Sequence, residues 1–193
     1  MLAARSSVGA RMLGRLMVLA ERCSEGDERF CEAYNEAVTR LPTPFVVYRG
    51  VDGFGARRNL VSGVIDHGIR DDVTYFTLSF DYAERFCSPD GVIYAVVVDD
   101  WLRKLMKPVL YSARIERATV TRFDDRVIIQ PHFLAREKAF VARSIPLDPR
   151  RVAILYPVLP TIPPKPISES VAELIREFEK RRFEVKPFYF GLR

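Results

Sequence analysis

The spacing of hydrophobic and polar positions changes twice along the chain and predicts three regions. In residues 1–44 the apolar side chains recur at helical spacing, which predicts two helices broken near "CSEGDE". Residues 45–158 switch to short apolar segments bounded by Gly, Pro and Asp, which predicts a core of strands. Residues 159–193 begin with a proline-rich linker and continue as an amphipathic helix, in which Ser170 and Glu173 have the spacing of a capping box.

The individual segments predict an α+β domain. The second N-terminal helix should extend from Glu28 to Leu41, where "PTP" stops it. The predicted strands are "FVVYRGV", "VTYFTLSF", "GVIYAVVVD", "VIIQPHF", "KAFVA" and "RVAILYPV". Between the second and third of these strands, "DYAERFC" predicts a short helix opening on Asp81. Because strands follow one another with few helices between them, the pairing should be mainly antiparallel, within one structural domain.

Composition narrows the function classes. The net charge of +5 is mild, and acids are interspersed with the basic residues, so the charge gives little support for nucleic-acid binding. Three cysteines without a C-x-x-C pair argue against a zinc site or a disulfide framework and favour a reducing compartment, although one disulfide is left open. No metal site is expected, since His67 and His132 lack partners at ligand spacing.

No apolar run is long enough to cross a membrane, which leads to the expectation of a cytoplasmic protein without membrane contact. The scarcity of Asn and Gln is typical of proteins from hot environments.

Four short motifs occur in an informative order. "VVYRG" is followed about 25 residues later by "YFTLSFDYAERFC", then by the strand "GVIYAVVVD", and finally by "AREKAFVA". This order resembles the arginine-type ADP-ribosyltransferases, the family of the mono-ADP-ribosylating toxins. Members of the family carry an arginine in Y-R-G, a Ser-Thr-Ser strand with a short helix after it, and an E-x-E strand. The resemblance spans residues 28–158.

The resemblance implies a split β-sandwich, preceded by helices and closed by a C-terminal helix. It also implies an NAD-dependent enzyme that transfers ADP-ribose to a macromolecular acceptor, most readily a protein, and releases nicotinamide. Arg49 takes the place of the NAD-binding arginine, and Gly50 would bring main-chain groups against the nicotinamide. Thr77 and Ser79 stand where Ser-Thr-Ser is expected and should share one face of a strand, with Phe80 as a stacking surface for nicotinamide.

The E-x-E motif can be aligned in two registers. If Ala135 begins the triplet, Glu137 is the catalytic carboxylate that stabilises positive charge on the ribose, and arginine is disfavoured as the acceptor. If Glu137 begins the triplet, Ala139 stands in the catalytic position and the protein binds NAD or a partner without turnover. We assign Glu137 as catalytic, because the other three motifs have little purpose without a carboxylate. A third hypothesis is a basic nucleic-acid-binding or assembly protein that uses the terminal helices.

Overall fold

The computed structural model describes residues 7–67, 73–113, 118–123, 126–130, 138–161 and 163–189. Its helices are α1 Ser7–Ser24, α2 Glu28–Thr39, α3 Gly53–Ser62, α4 Phe80–Arg85, α5 Asp100–Leu105 and α6 Glu169–Lys180. Its strands are β1 Phe45–Val51, β2 Val64–Ile65, β3 Thr74–Phe76, β4 Val92–Val98, β5 Lys107–Pro108, β6 Leu110–Ser112, β7 Ala118–Phe123, β8 Arg126–Gln130, β9 Phe140–Ala142, β10 Ile145–Pro146, β11 Val152–Leu159, β12 Lys165–Pro166 and β13 Glu184–Tyr189. The prediction of an α+β protein with mainly antiparallel strands and helices toward both ends is confirmed.

The largest sheet has the order β1-β4-β11-β12, and β13 also pairs with β11. Every pairing in it is antiparallel except that of β11 with β13, which is parallel. Strand β4 lies between β1 and β11, and six of its seven residues are buried. Its continuous apolar sequence follows from this position, since a strand covered on both faces has no solvent side to keep polar.

A second sheet of order β3-β9-β5 lies beside the first. The two sheets meet at one isolated antiparallel bridge between Tyr48 of β1 and Thr77, just after β3. The Tyr48 amide donates to the Thr77 carbonyl at 2.8 Å, and the Thr77 amide donates back at 3.0 Å. Strands β6, β7 and β8 form a third sheet, and β2 pairs with β10. The single bridge ties the edges of the first two sheets together and leaves room for a cleft beside it.

The N-terminal helices are close to their predicted bounds. Helix α2 buries Tyr34 and Val38, as its periodicity predicts. A disulfide joins Cys23 of α1 to Cys31 of α2, so the single disulfide that the sequence left open is present. Asn35 attaches α2 to β6, because its side-chain amide both donates to and accepts from the Tyr111 backbone, at 2.8 and 2.9 Å.

The C-terminal region corrects two predictions. Ser168 caps α6, with its hydroxyl accepting from the Val171 amide at 3.2 Å, so the predicted capping box at Ser170 is wrong. The apolar face predicted for this helix is buried. The region is more than a linker and a helix, because β12 and β13 both add to the large sheet. One hydrophobic core contains side chains from all three predicted regions, from Leu16 in α1 to Phe183 beside β13.

Helix α3 is absent from the sequence prediction because "DGFGARRNLVSG" contains three glycines, which disfavour a helix. Local contacts at its ends overcome this. Asp52 caps the N-terminus by accepting from the Gly55 amide at 2.6 Å. Gly63 ends the helix with φ of 72°, a left-handed conformation that suits glycine.

Among the described residues, no helix is both long and apolar enough to span a membrane.

Candidate functional site

A cleft of about 390 Å³ opens beside the bridge between the two sheets. Its walls come from the end of β1, the first turns of α3, the end of β3, helix α4 with the residue after it, and Lys138 before β9. Its volume falls in the range of small-molecule sites. Three of the four motifs that carried the sequence resemblance therefore contribute residues to one concave surface.

Arg49 lies in this cleft, and it forms no ion pair with a carboxylate of the described residues. It occupies the β1 position opposite Tyr94 of β4, and its Nη1 donates to the Tyr75 carbonyl at 2.9 Å. Its Nε is buried and has no hydrogen-bond partner among the described residues. Burial is the main cause that lowers the pKa of Arg49 to about 10, and the neighbouring Arg58 lowers it further. The side chain is therefore still a cation at neutral pH, and one of its donors has no acceptor among the described residues.

Arg58 on α3 adds a second guanidinium to the cleft. Unlike Arg49 it has a carboxylate partner, since its Nη2 donates to Asp66 Oδ1 at 2.7 Å and to the Asp66 carbonyl at 3.1 Å. Sequence reasoning missed Arg58 and its partner Asp66. The signal that could have found Arg58 is its position on a helix directly after the Y-R-G strand, but that requires recognising α3.

Lys138 gives the cleft a third cation. Its Nζ lies 4.0 Å from the centre of the Tyr75 ring, a cation–π contact. Two carboxylates also line the cleft, but Asp52 caps α3 and Asp66 pairs with Arg58. The arrangement as a whole favours an anionic ligand.

The structure gives a reason for a glycine at position 50 that differs from the predicted one. A Cβ at this position would lie 1.9 Å from the Ala83 carbonyl oxygen and 2.8 Å from the Cys87 amide nitrogen. The glycine therefore allows β1 and the α4 segment to approach closely. Although Gly50 lines the cleft, the side chain it excludes would collide with protein backbone.

Thr77 and Ser79 do not share the face of one strand, so that part of the prediction is wrong. Strand β3 ends at Phe76, and Thr77 pairs with Tyr48 in the isolated bridge instead of continuing the strand. The Ser79 amide donates to Thr77 Oγ1 at 3.0 Å, which turns the chain into α4. Ser79 is the N-cap of that helix, and its hydroxyl accepts from the Tyr82 amide at 3.4 Å. Thr77 lines the cleft.

Phe80 is the first residue of α4 and packs away from the cleft. Its ring makes edge contacts with Tyr48 and Phe188, with ring centres 5.8 and 5.4 Å apart. It belongs to a small apolar cluster around Ala83. Tyr75 lines the cleft instead.

The predicted catalytic residue, Glu137, lies outside the described residues. The next two positions are described. Lys138 lines the cleft, whereas Ala139 is buried and packs into the core. The Ala139 amide donates to the Phe76 carbonyl at 2.8 Å, so the pairing of β9 with β3 extends to Ala139, next to Thr77.

Two exposed phenylalanines also line the cleft and were not predicted as site residues. Phe54 lies in the first turn of α3, and Phe86 follows the last residue of α4. Exposure cannot be read from the sequence without knowing where these two helices pack.

Within the described part of the chain, no group of His, Cys, Asp or Glu side chains could hold a metal ion.

Comparison with models of known families, with curated proteins and with solved structures finds no match to this chain. The functional assignment therefore depends on the residues and on the geometry of the cleft.

Proposed function

We propose that this protein is an NAD-dependent mono-ADP-ribosyltransferase, which transfers ADP-ribose to a protein acceptor and releases nicotinamide. The proposal includes the split β-sandwich fold of that family. Two sheets joined by one bridge beside a cleft support it, as does the position of the Y-R-G arginine on the strand that makes the bridge.

The observation that carries the proposal is the state of Arg49. A largely buried guanidinium with a buried, unpartnered Nε is costly to the fold unless a ligand satisfies it. The planar fork of arginine suits bidentate contact with phosphate oxygens, such as those of the NAD pyrophosphate. Arg58 and Lys138 extend the positive potential around that position.

The proposed reaction breaks the bond between nicotinamide and C1′ of the ribose. Nicotinamide leaves with the electron pair of that bond, while the acceptor nucleophile forms a bond to C1′ and loses a proton. Positive charge develops on the ribose as the leaving group departs, and a fixed carboxylate stabilises it. By resemblance, Glu137 supplies this carboxylate. By the same resemblance, Thr77, which is part of the cleft lining, would contact the ribose.

The experiment is to incubate the purified protein with NAD and measure nicotinamide release, with and without a mixture of candidate acceptor proteins. We expect Glu137→Gln to lower the rate by about a hundredfold or more, the usual effect of losing one transition-state contact. Arg49→Lys should also lower release at least tenfold at limiting NAD, because it weakens NAD binding. Glu36→Gln, which alters an exposed ion pair on α2, is the matched control and should release nicotinamide at the wild-type rate. Undiminished release by Glu137→Gln would contradict the proposal.

A second candidate is a protein that binds NAD or a partner without turnover. The specific observation in its favour is that β9 pairing places Ala139, which has no functional group, beside Thr77. It differs from the first candidate in one result: NAD would bind in an Arg49-dependent manner, but neither the wild type nor any variant would release nicotinamide.

A further inference from the structure

Two phenylalanine rings stand in solvent at the cleft. Phe54 is 76% exposed and Phe86 is 62% exposed, among the highest values for large apolar side chains in the described residues. Both line the cleft that contains Arg49. Single exposed apolar side chains are common on protein surfaces, but two aromatic rings on one cleft are a feature of ligand sites.

Each of the two rings is attached to backbone that hydrogen bonds hold in place. Phe54 lies inside the first turn of α3, which Asp52 caps through the Gly55 amide at 2.6 Å. The Phe86 amide donates to the Ala83 carbonyl at 3.1 Å, at the C-terminal end of α4. Gly50 holds α4 against β1, and α3 follows β1 directly, so the two rings belong to the two helices that border the end of this strand. Neither ring needs a rearrangement of its helix to contact a ligand.

The chemistry of the cleft indicates what the rings hold. Arg49 offers an unpartnered buried donor, and Arg58 and Lys138 add positive charge. A ligand that supplies an acceptor for the Arg49 Nε donor, next to two further cations, carries phosphate or another strong anion. Aromatic rings add affinity for a planar ring system by stacking, largely independent of its identity. A molecule with both features is a nucleotide.

We propose that Phe54 and Phe86 form an aromatic grip for the planar base of a nucleotide whose phosphates lie against Arg49. The inference rests on the proposed function only in placing the ligand in this cleft. It assigns specificity to Phe54, which lies outside the four motifs, and to Phe86, which lies near the end of the second motif. It also explains why these side chains are aromatic although they bury little surface in the ligand-free protein.

The test is calorimetric titration of the full chain with NAD, ADP and inorganic pyrophosphate. We expect Phe54→Leu and Phe86→Leu each to weaken NAD and ADP about 5- to 100-fold, the range for loss of one stacking contact. Affinity for pyrophosphate should not change, since it has no ring. Trp101→Leu is the control, because Trp101 is also an exposed aromatic but lies outside the cleft lining. Thermal melting of each variant checks that the fold is retained.

The outcomes separate this inference from the proposed function. Phe54→Leu and Phe86→Leu proteins that bind NAD and ADP like the wild type, or that lose pyrophosphate equally, would overturn the aromatic grip while leaving nicotinamide release intact. Conversely, ring-dependent binding of ADP without any consumption of NAD would support the grip and contradict the transferase. Failure of all three probes to bind would overturn both.

Discussion

Arg151 and Arg49 differ in the partners that the described residues offer their guanidinium groups. Arg151 donates from Nε to Asp99 at 2.8 Å and from Nη1 to Asp148 at 2.7 Å. Its guanidinium also lies 4.9 Å from the centre of the Trp101 ring. This arginine has two carboxylates and an aromatic face within its own chain, so nothing further is needed to satisfy it.

Among the described residues, Arg49 has one hydrogen-bond partner, the Tyr75 carbonyl, and its buried Nε has none. No carboxylate of the described residues lies within ion-pair distance of it, and burial lowers its pKa. The contrast separates an arginine whose partners lie within the fold from one that the proposed function assigns to a ligand. The expectations below test that separation, from the largest effect to the smallest.

The strongest effect should come from the strand that carries Arg49. We expect Gly50→Ala to lower the free energy of unfolding by about 1–3 kcal/mol, because its Cβ would collide with the Ala83 carbonyl and push α4 from β1. NAD affinity should fall with it, since the displaced strand carries Arg49. Gly14→Ala on α1 is the control, because a Cβ there meets nothing within 4 Å. Denaturant unfolding of both variants measures the effect. A Gly50→Ala protein as stable as the wild type would contradict the close approach of β1 to the Ala83 carbonyl.

Arg151→Leu should lower the free energy of unfolding by about 1 kcal/mol, a value moderated by the partial exposure of the site. The loss comes from two carboxylates that no longer have this cation as a partner. Affinity for NAD should be unchanged. Unfolding and calorimetry on the same preparation test both halves, and a loss of NAD affinity would end the assignment of Arg151 as purely structural.

Arg49→Leu should leave the free energy of unfolding equal to that of the wild type or raise it by up to about 1 kcal/mol. Removing a cation that has no carboxylate partner also removes its desolvation penalty, which offsets the lost hydrogen bond to Tyr75. Denaturant unfolding beside Arg151→Leu gives the comparison directly. A destabilisation larger than that of Arg151→Leu would make Arg49 the structural arginine.

The smallest effect should appear in acid. The hydrogen bond from Arg150, followed by lesser contributions that include Arg151, lowers the pKa of Asp148 to about 2. Because the folded pKa is below the ordinary carboxyl value, the stabilisation is present above about pH 4 and is lost as the pH falls toward 2. The free energy of unfolding measured from pH 5 to 2.5 should fall by less than about 1 kcal/mol for this group. Asp148→Asn should flatten that part of the profile, and an unchanged slope would contradict it.

Periodicity predicted much of the fold because the relevant pattern is local. The buried face of α2, the apolar strand β4 and the buried face of α6 each follow from spacing within one segment. Helix α3 could not be predicted in this way, because its glycines oppose a helix and its stability comes from a cap and from packing. Strand β13 was missed because it contains Pro187 and is largely exposed, so it has no alternating apolar face to detect.

The candidate site was predicted in part. Arg49 was identified from Y-R-G and Thr77 from its distance to that motif, and both line one cleft. Ser79 was placed on a strand because "TLSF" alternates, but its hydroxyl caps α4 instead. Phe54 and Phe86 could not be found, because their exposure depends on how two helices pack around β1 and not on their own neighbours in sequence.

The most direct test of Arg49 as the ligand-binding arginine is calorimetric titration of NAD into the wild type, Arg49→Lys and Arg151→Lys. Lysine keeps the charge in both variants but removes the bidentate fork. We expect Arg49→Lys to weaken NAD binding at least tenfold, while Arg151→Lys binds like the wild type. Equal affinity in all three proteins, or no binding of NAD to the wild type, would contradict the assignment of Arg49 as the residue that holds the ligand.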